Sequence, residues 1–379
     1  MIDPAAFLAK LEALGVRFIT GVPDSLLKQF CTQAMGELPA ERHIIAANEG
    51  ASIGLAIGHY LRSGQPALVY MQNSGFGNAV NPLISLADSQ VYGIPMILLV
   101  GWRGQPGVKD EPQHVKQGRV MTALLNAMEL PWAILPREQE AAEAALSQAV
   151  ARTQAEKRPY VLLVEKDSFA KATVQAASTE TTLSLPGREE ALVALMDAVG
   201  DEGVQIATTG MLGRELFEHR VRSGGSGARD FLTVGGMGHA SAVALGIALE
   251  EPRREVWCLD GDGAALMHLG GLPVIAQNAP RSFFHVVFNN GVHDSVGGQP
   301  TAAARLSLAD LAETSGYRRA LTAQSLEQIA PQVVALREAG GPALLELRVR
   351  PGNRPDIGRP THTPQEAKAA LMDALAREG

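Results

Sequence analysis

Two things are scarce in this 379-residue chain. It has two cysteines, and no apolar run approaches the roughly 18 residues needed to cross a bilayer. The longest apolar candidate, Pro95 to Trp102, reads as a buried strand, so no membrane-spanning helix is expected. Cys31 and Cys258 both lie in apolar stretches and read as buried free thiols rather than as a disulfide or metal pair. A secretory signal is also missing: Met1 to Lys10 carries Asp3 and an amphipathic rhythm, not a basic segment followed by an apolar one. A cytoplasmic location is expected. Positive charge is the third shortage. The net charge is −7 with no basic stripe, which argues against broad nucleic-acid binding. An anionic small molecule stays open, because a few local cations suffice to bind one.

What is present is an ordinary globular balance, 46% hydrophobic and 19% charged, over a length that suggests two domains. In the first half, Val16 to Thr20, His43 to Ala46, Ala67 to Met71, Pro95 to Val100 and Tyr160 to Glu165 read as buried strands. Ala51 to Ser63 and Glu138 to Thr153 read as helices between them. The second half repeats the rhythm, with strands expected at Val204 to Thr208, Val256 to Leu259, Phe283 to Phe288 and Ala343 to Val349. Apolar strands alternating with helices favour parallel sheets covered on both faces. The expected fold is therefore α/β, with two doubly wound parallel-sheet domains. The Ser/Thr/Ala-rich stretch ending in Leu-Pro-Gly is the expected linker, at 173–186, between domains at 1–172 and 187–379.

The most informative segment is Leu259-Asp260-Gly261-Asp262-Gly263-Ala264, followed by Phe288-Asn289-Asn290-Gly291. Glycines after a strand let the backbone approach a phosphate, and a following helix N-terminus offers free N–H groups to it. Asp262 supplies a hard anionic oxygen and Asn290 a neutral one, 28 positions later, enough for a helix and the next parallel strand. Both then fall at carboxyl ends of neighbouring strands, where α/β sheets bind ligands. Mg²⁺ suits such oxygen ligands and is usually shared with phosphates. A second glycine-rich run, Val234-Gly235-Gly236-Met237-Gly238-His239-Ala240-Ser241, reads either as part of the same site or as a dinucleotide fingerprint with Asp260 on a ribose.

The paired Gly-Asp-Gly and Asn-Asn motifs resemble those of the thiamine-diphosphate enzymes. The resemblance implies a thiamine-diphosphate-binding fold, with a pyrimidine-binding domain first and a diphosphate-binding domain second. It implies Mg²⁺ held by Asp262, Asn290 and the Val292 carbonyl. Gly236, Met237 and Gly238 would pack on the cofactor, with Met237 wedged between its rings. Thr209, Gly210, Gly261, Gly263, Ala264 and Asn73 are further cofactor candidates. The run Ala46-Ala47-Asn48-Glu49-Gly50-Ala51-Ser52 matches the family's activating glutamate. Thiazolium deprotonation needs a protonated pyrimidine nitrogen, and a carboxyl in apolar surroundings, here Glu49, stabilises that form. The family also implies at least a homodimer, with sites where the first domain of one chain meets the second domain of another.

Longer strings narrow the resemblance to the phosphonopyruvate and sulfopyruvate decarboxylases. They are Gly21-Val22-Pro23-Asp24-Ser25-Leu26-Leu27, Gln72 to Asn78, Lys109-Asp110-Glu111-Pro112-Gln113-His114, and Asn289 to Gln299. The implied reaction is non-oxidative loss of CO₂ from 3-phosphonopyruvate, giving phosphonoacetaldehyde in phosphonate biosynthesis. Sulfopyruvate, giving sulfoacetaldehyde, is the alternative substrate. The polar, glycine-rich segment from Gly101 to Arg119 reads as a loop bringing cations to an anionic tail. Arg103, Lys109 and His114 are its candidates, with Ser25 and Asn78 as neutral donors. His114 and His293 are candidate catalytic groups beside Glu49. Val296 stands where pyruvate decarboxylases place a proton-donating glutamate, so the donor is open among His293, His114 and water. Two other classes compete: a nucleotide-binding oxidoreductase built on Gly236-x-Gly238, and a non-catalytic relative, against which Glu49 and the metal motif both count.

Overall fold

In a computed structural model, residues 1–174 and 184–377 are described. Of the expected linker, residues 175–183 lie outside that range. Residue contacts divide the chain into two units, Met1–Thr179 with Val296–Gln299, and Glu180–Ser295 with Pro300–Gly379.

The first unit contains β1 (Ile19–Gly21), β2 (His43–Ile45), β3 (Ala67–Gln72), β4 (Met96–Gly101), β5 (Trp132–Ile134) and β6 (Tyr160–Val164). They form one sheet in the order β2-β1-β3-β4-β6-β5, every neighbouring pair parallel. The central strands are apolar at nearly every position, Thr20 and Gln72 apart, because both faces are covered. In β3, Leu68 and Tyr70 enter one core cluster, while Ala67, Val69 and Met71 enter the other. Successive side chains of a strand point to opposite faces, so a run with no polar alternation is the signature of a sheet between two helical layers.

The second unit contains β7 (Val204–Ala207), β8 (Asp230–Leu232), β9 (Val256–Gly261), β10 (Phe283–Asn289), the short β11 (Val292–His293) and β12 (Gln299–Pro300), β13 (Arg319–Ala323) and β14 (Ala343–Arg348). Its main sheet runs β13-β14-β10-β9-β7-β8, again wholly parallel. Counted from each unit's own first strand, leaving out the short β11 and β12, the two orders are the same. The shared rhythm of the halves thus reflects a shared topology. In both, the order reverses between the first and third strands, and α/β sheets bind ligands at the carboxyl edge of such a switch point.

Strand boundaries move by one to three residues from the sequence expectation. Val16 to Thr20 becomes Ile19–Gly21, and Val256 to Leu259 extends to Gly261. Three strands of the main sheets were not expected, β5, β8 and β13, nor was the short pair β11 and β12. Each of the three lies at or next to a sheet edge, is three to five residues long, and is only partly buried, so none presents a continuous apolar run. A second correction concerns Gly101 to Arg119. Its second part is the start of a helix, Pro112–Ala127, so His114, Lys116 and Arg119 are helical rather than on a loop. Pro112 sits in the first turn, where its missing N–H costs nothing.

Candidate active site

In the second unit, the metal motif ends β9 and opens the helix Asp262–Met267. The ladder pairs Gly261 with Phe288, so Asp262 and the Asn289-Asn290 pair leave adjacent strands at the same edge. Asp262 is 3% exposed, and its Oδ2 accepts a hydrogen bond from the buried Thr301 hydroxyl. Burial pushes the Asp262 pKa up to about 6, against the lowering effect of Thr301. A carboxylate this enclosed, with a hydroxyl and backbone N–H groups for company, lacks a compensating positive charge, which a divalent cation supplies. Asn290 donates from Nδ2 to Asp294 Oδ2 at 2.7 Å, and its Oδ1 accepts from the Val292 N–H at 3.1 Å. Asn289 faces the interior instead, donating to the buried Glu346.

Glycine geometry around this edge fits a phosphate cradle. Gly210, which caps the helix Met211–Ser223, has φ +105° and open space where a Cβ would stand. A Cβ at Gly263 would sit 2.9 Å from the His293 ring and 3.4 Å from the end of Met237. A Cβ at Gly238 would meet Met267 and His268. The Gly236–Gly238 turn, the Gly261–Ala264 turn and His293 are therefore packed together. Gly236 and Gly238 both have positive φ, which explains the residue type there. The hydroxyl of half-buried Thr209 donates to the Val234 carbonyl, tying the loop after β7 to the Gly236–Gly238 turn.

In the first unit, Glu49 is the first residue of the helix Glu49–Ser63, not a residue before it as the expected start at Ala51 implied. Asn48 caps this helix by accepting from the Ala51 N–H. Glu49 is 4% exposed; burial raises its pKa, and a 2.8 Å hydrogen bond from Asn78 Nδ2 to Oε2 partly offsets that. Asn78, expected to bind substrate, gives one amide hydrogen to Glu49. Asn73 is similarly committed: its amide bonds both the carbonyl and the N–H of Arg103, so it fixes the loop after β4 rather than offering a free donor.

The expected substrate residues converge on one that sequence reasoning passed over, Asp110. It takes a bidentate pair from Arg103, and further bonds from His114 Nδ1 at 3.1 Å and from the N–H groups of Gly104 and Glu111. Burial works against its charge, but these donors outweigh it and hold the carboxyl well below the usual range. Arg103 also donates from Nη1 to the Ser25 hydroxyl at 2.9 Å. Ser25, Arg103 and His114 thus belong to one cluster, while Lys109 stays exposed. Gly104 allows this: its φ is +68°, and a Cβ there would collide with the His114 carbonyl. Asp24, beside them, is wholly buried with its pKa raised to about 6, and its Oδ1 has no hydrogen-bond partner.

Burial lowers the pKa of both candidate histidines, His293 to about 4 and His114 below its ordinary value despite Asp110. Both are neutral at pH 7. Signals for Asp110, Asp294 and Thr301 existed, since the first two lie inside the quoted strings, but only contacts reveal their partners. Cys31 and Cys258 are buried free thiols as expected. No helix among the described residues is long and apolar enough to cross a membrane.

Residues 4–124 match the family model described as the N-terminal TPP binding domain of thiamine pyrophosphate enzymes, and residues 208–347 match its C-terminal TPP binding domain. A phosphonopyruvate decarboxylase from Streptomyces viridochromogenes is 35% identical over 97% of this chain and 93% of its own length. One from Streptomyces hygroscopicus is 35% identical over 97% and 92%. A sulfopyruvate decarboxylase from Methanosarcina acetivorans is 25% identical over 96% and 95%.

Proposed function

The chain belongs to the thiamine-diphosphate-dependent phosphonopyruvate and sulfopyruvate decarboxylases, and on that footing we propose that it removes CO₂ from 3-phosphonopyruvate to give phosphonoacetaldehyde. The observation that carries the chemistry is the placing of Asp262 and Asn290 at the carboxyl ends of adjacent strands β9 and β10. There Asp262, Asn290 and the Val292 carbonyl would hold Mg²⁺, and the Gly236–Gly238 and Gly261–Ala264 turns would admit the diphosphate. In this reading the first unit is the pyrimidine-binding domain and the second the diphosphate-binding domain.

When bound, thiamine diphosphate supplies a carbanionic nucleophile and an electron sink for the pair released as CO₂ departs. Glu49 would hydrogen-bond the pyrimidine ring of the bound cofactor, and its burial, which raises its pKa, favours the carboxyl that keeps its proton. Arg103, Ser25 and Lys109 receive the anionic tail, with Asp110 fixing the Arg103 fork. Because His114 Nδ1 is engaged with Asp110, its Nε2 is the nitrogen free to pass a proton. Neither His114 nor His293 starts as an imidazolium at pH 7, so protonation at carbon draws on water, relayed by one of them.

A homo-oligomer with its sites at the subunit interface is part of the same proposal. Apolar helix surface supports it: Leu61 is 71% exposed on the first unit, and Leu249 is 51% exposed on the second. Beside Leu61's helix lies an apolar hollow of about 740 Å³ lined by Ala47, Ala51, Gly54 and Gly58. The decisive assay compares CO₂ release from phosphonopyruvate, sulfopyruvate and pyruvate, with cofactor and Mg²⁺ supplied. Phosphonopyruvate should turn over fastest; a preference for sulfopyruvate overturns the substrate assignment. Light scattering should give at least a dimer.

A further inference from the structure

An asparagine amide has two ends of nearly equal shape and opposite chemistry. Only its oxygen can bind a cation; turned around, it presents two hydrogens. A site that uses Asn290 as a ligand therefore needs something to decide which end faces the ion. Asp294 is placed to do so. Its Oδ2 lies 2.7 Å from Asn290 Nδ2, and a carboxylate accepts without donating. With the amide reversed, two oxygens would meet at that distance.

Asp294 is itself held by two further donors. Arg188 Nη1 lies 2.9 Å from its Oδ2, and the Gly352 N–H bonds both of its oxygens at 3.1–3.2 Å. Arg188 is in turn gripped by Glu215 through two parallel bonds of 2.9 Å. The side chains of Arg188, Glu215 and Asp294 are 8%, 2% and 12% exposed, so water screens the set little. One cation and two anions leave a net charge of −1 beside Asn290, which suits a neighbouring divalent ion. All four residues lie in the second unit, on the helices Arg188–Val199 and Met211–Ser223 and the segment after β10.

We propose that Asp294 is a positioning residue that orients the Asn290 amide, its oxygen toward the metal, with Arg188 and Glu215 holding Asp294 in place. The proposal rests on Asn290 being a metal ligand. Groups behind metal ligands commonly change metal affinity about 10- to 100-fold when altered. Asp294→Asn keeps size and shape but can bond either end of Asn290, so the carboxylate's share of the selection is lost and only the Val292 N–H on Oδ1 still favours the same orientation.

The test is Mn²⁺ binding in the presence of thiamine diphosphate, followed by the electron paramagnetic resonance of free Mn²⁺, with circular dichroism to establish folding. D294N should weaken Mn²⁺ about 10- to 100-fold, with kcat largely restored at saturating metal. Affinity within twofold of the parent overturns the proposal. The diagnostic background is Asn290→Asp, whose two carboxylate oxygens are equivalent. There D294N should cost no further affinity; an equal loss in both backgrounds means a general structural role and overturns the orienting one. Should D294N not fold, Glu215→Gln carries the test. A loss in the same direction is expected, and unchanged affinity in folded E215Q overturns the idea. Asp262→Ala separates the premise: if it too leaves Mn²⁺ binding unchanged, the metal site itself has been misassigned.

Discussion

Asn78 donates to Glu49 Oε2 at 2.8 Å, joining the helix Phe76–Pro82 that follows β3 to the first residue of the helix after β2. That bond favours the ionised carboxyl, while burial favours the neutral one. The balance between them is a setting that mutation can change.

Glu49→Gln removes the ionisable group and keeps the bulk. CO₂ release should fall by at least about 10²-fold, the usual scale for a lost acid–base group. Thermal unfolding should be unchanged or slightly later. In Asn78→Ala the bond that lowers the Glu49 pKa is gone, so any ionisation Glu49 controls should move to higher pH in the kcat/KM profile. A profile that does not move contradicts this account.

Gly75 is a purely steric test of the same carboxyl. Its backbone is ordinary, yet an added Cβ would stand 1.9 Å from Glu49 Oε1. Gly75→Ala should displace Glu49, cutting turnover nearly as far as E49Q and costing about 1–3 kcal/mol of stability from overpacking. Near-parental activity would show that Glu49 is not needed where it now sits.

Asp110→Asn should leave Arg103 without the carboxylate that holds its fork and His114 without its carboxylate. Removing one partner of a buried ion pair costs about 3 kcal/mol or more. Denaturant unfolding measures that loss, and KM for the oxo acid should rise more than kcat falls. An unaltered KM would separate this cluster from substrate binding.

Asp24 predicts a pH dependence. Its folded pKa of about 6 lies above its ordinary value of 3.8, so the folded state binds the proton more tightly. The penalty for its charge is absent below pH 3.8, grows as the pH rises, and is complete above pH 6. Asp24→Asn should therefore stabilise the protein at pH 8, by on the order of 1–3 kcal/mol, and hardly at all at pH 4. Unfolding midpoints at the two pH values decide it; an equal effect at both would disprove the linkage.

Metal removal should act through Asp262. With thiamine diphosphate and Mg²⁺ at about 100 times their dissociation constant, binding adds about 2.7 kcal/mol of stability. Chelation should return the unfolding temperature to that of the free protein, and Asp262→Ala should show no response to Mg²⁺ at all. A variant that still responds would place the ion elsewhere.

The chain order of apolar residues determined much of this. Strands such as Ala67–Gln72 and Phe283–Asn289 bury both faces, so their type and parallel pairing were legible from composition alone. Gly261, Asp262 and Asn290 were singled out as candidates because a phosphate and a cation need particular residue types at a strand's end. What tertiary structure alone decided is which polar groups are already spent. Asn78 bonds Glu49, Asn73 bonds Arg103, and Asp110 gathers Arg103 and His114. The edge strands Trp132–Ile134 and Arg319–Ala323 were invisible for a related reason: half-exposed residues carry no continuous apolar signal. Burial of apolar surface follows local pattern, whereas a hydrogen bond between residues 29 or 106 positions apart, as from Asn78 to Glu49 or Arg188 to Asp294, depends on where the folded sheets bring their loops.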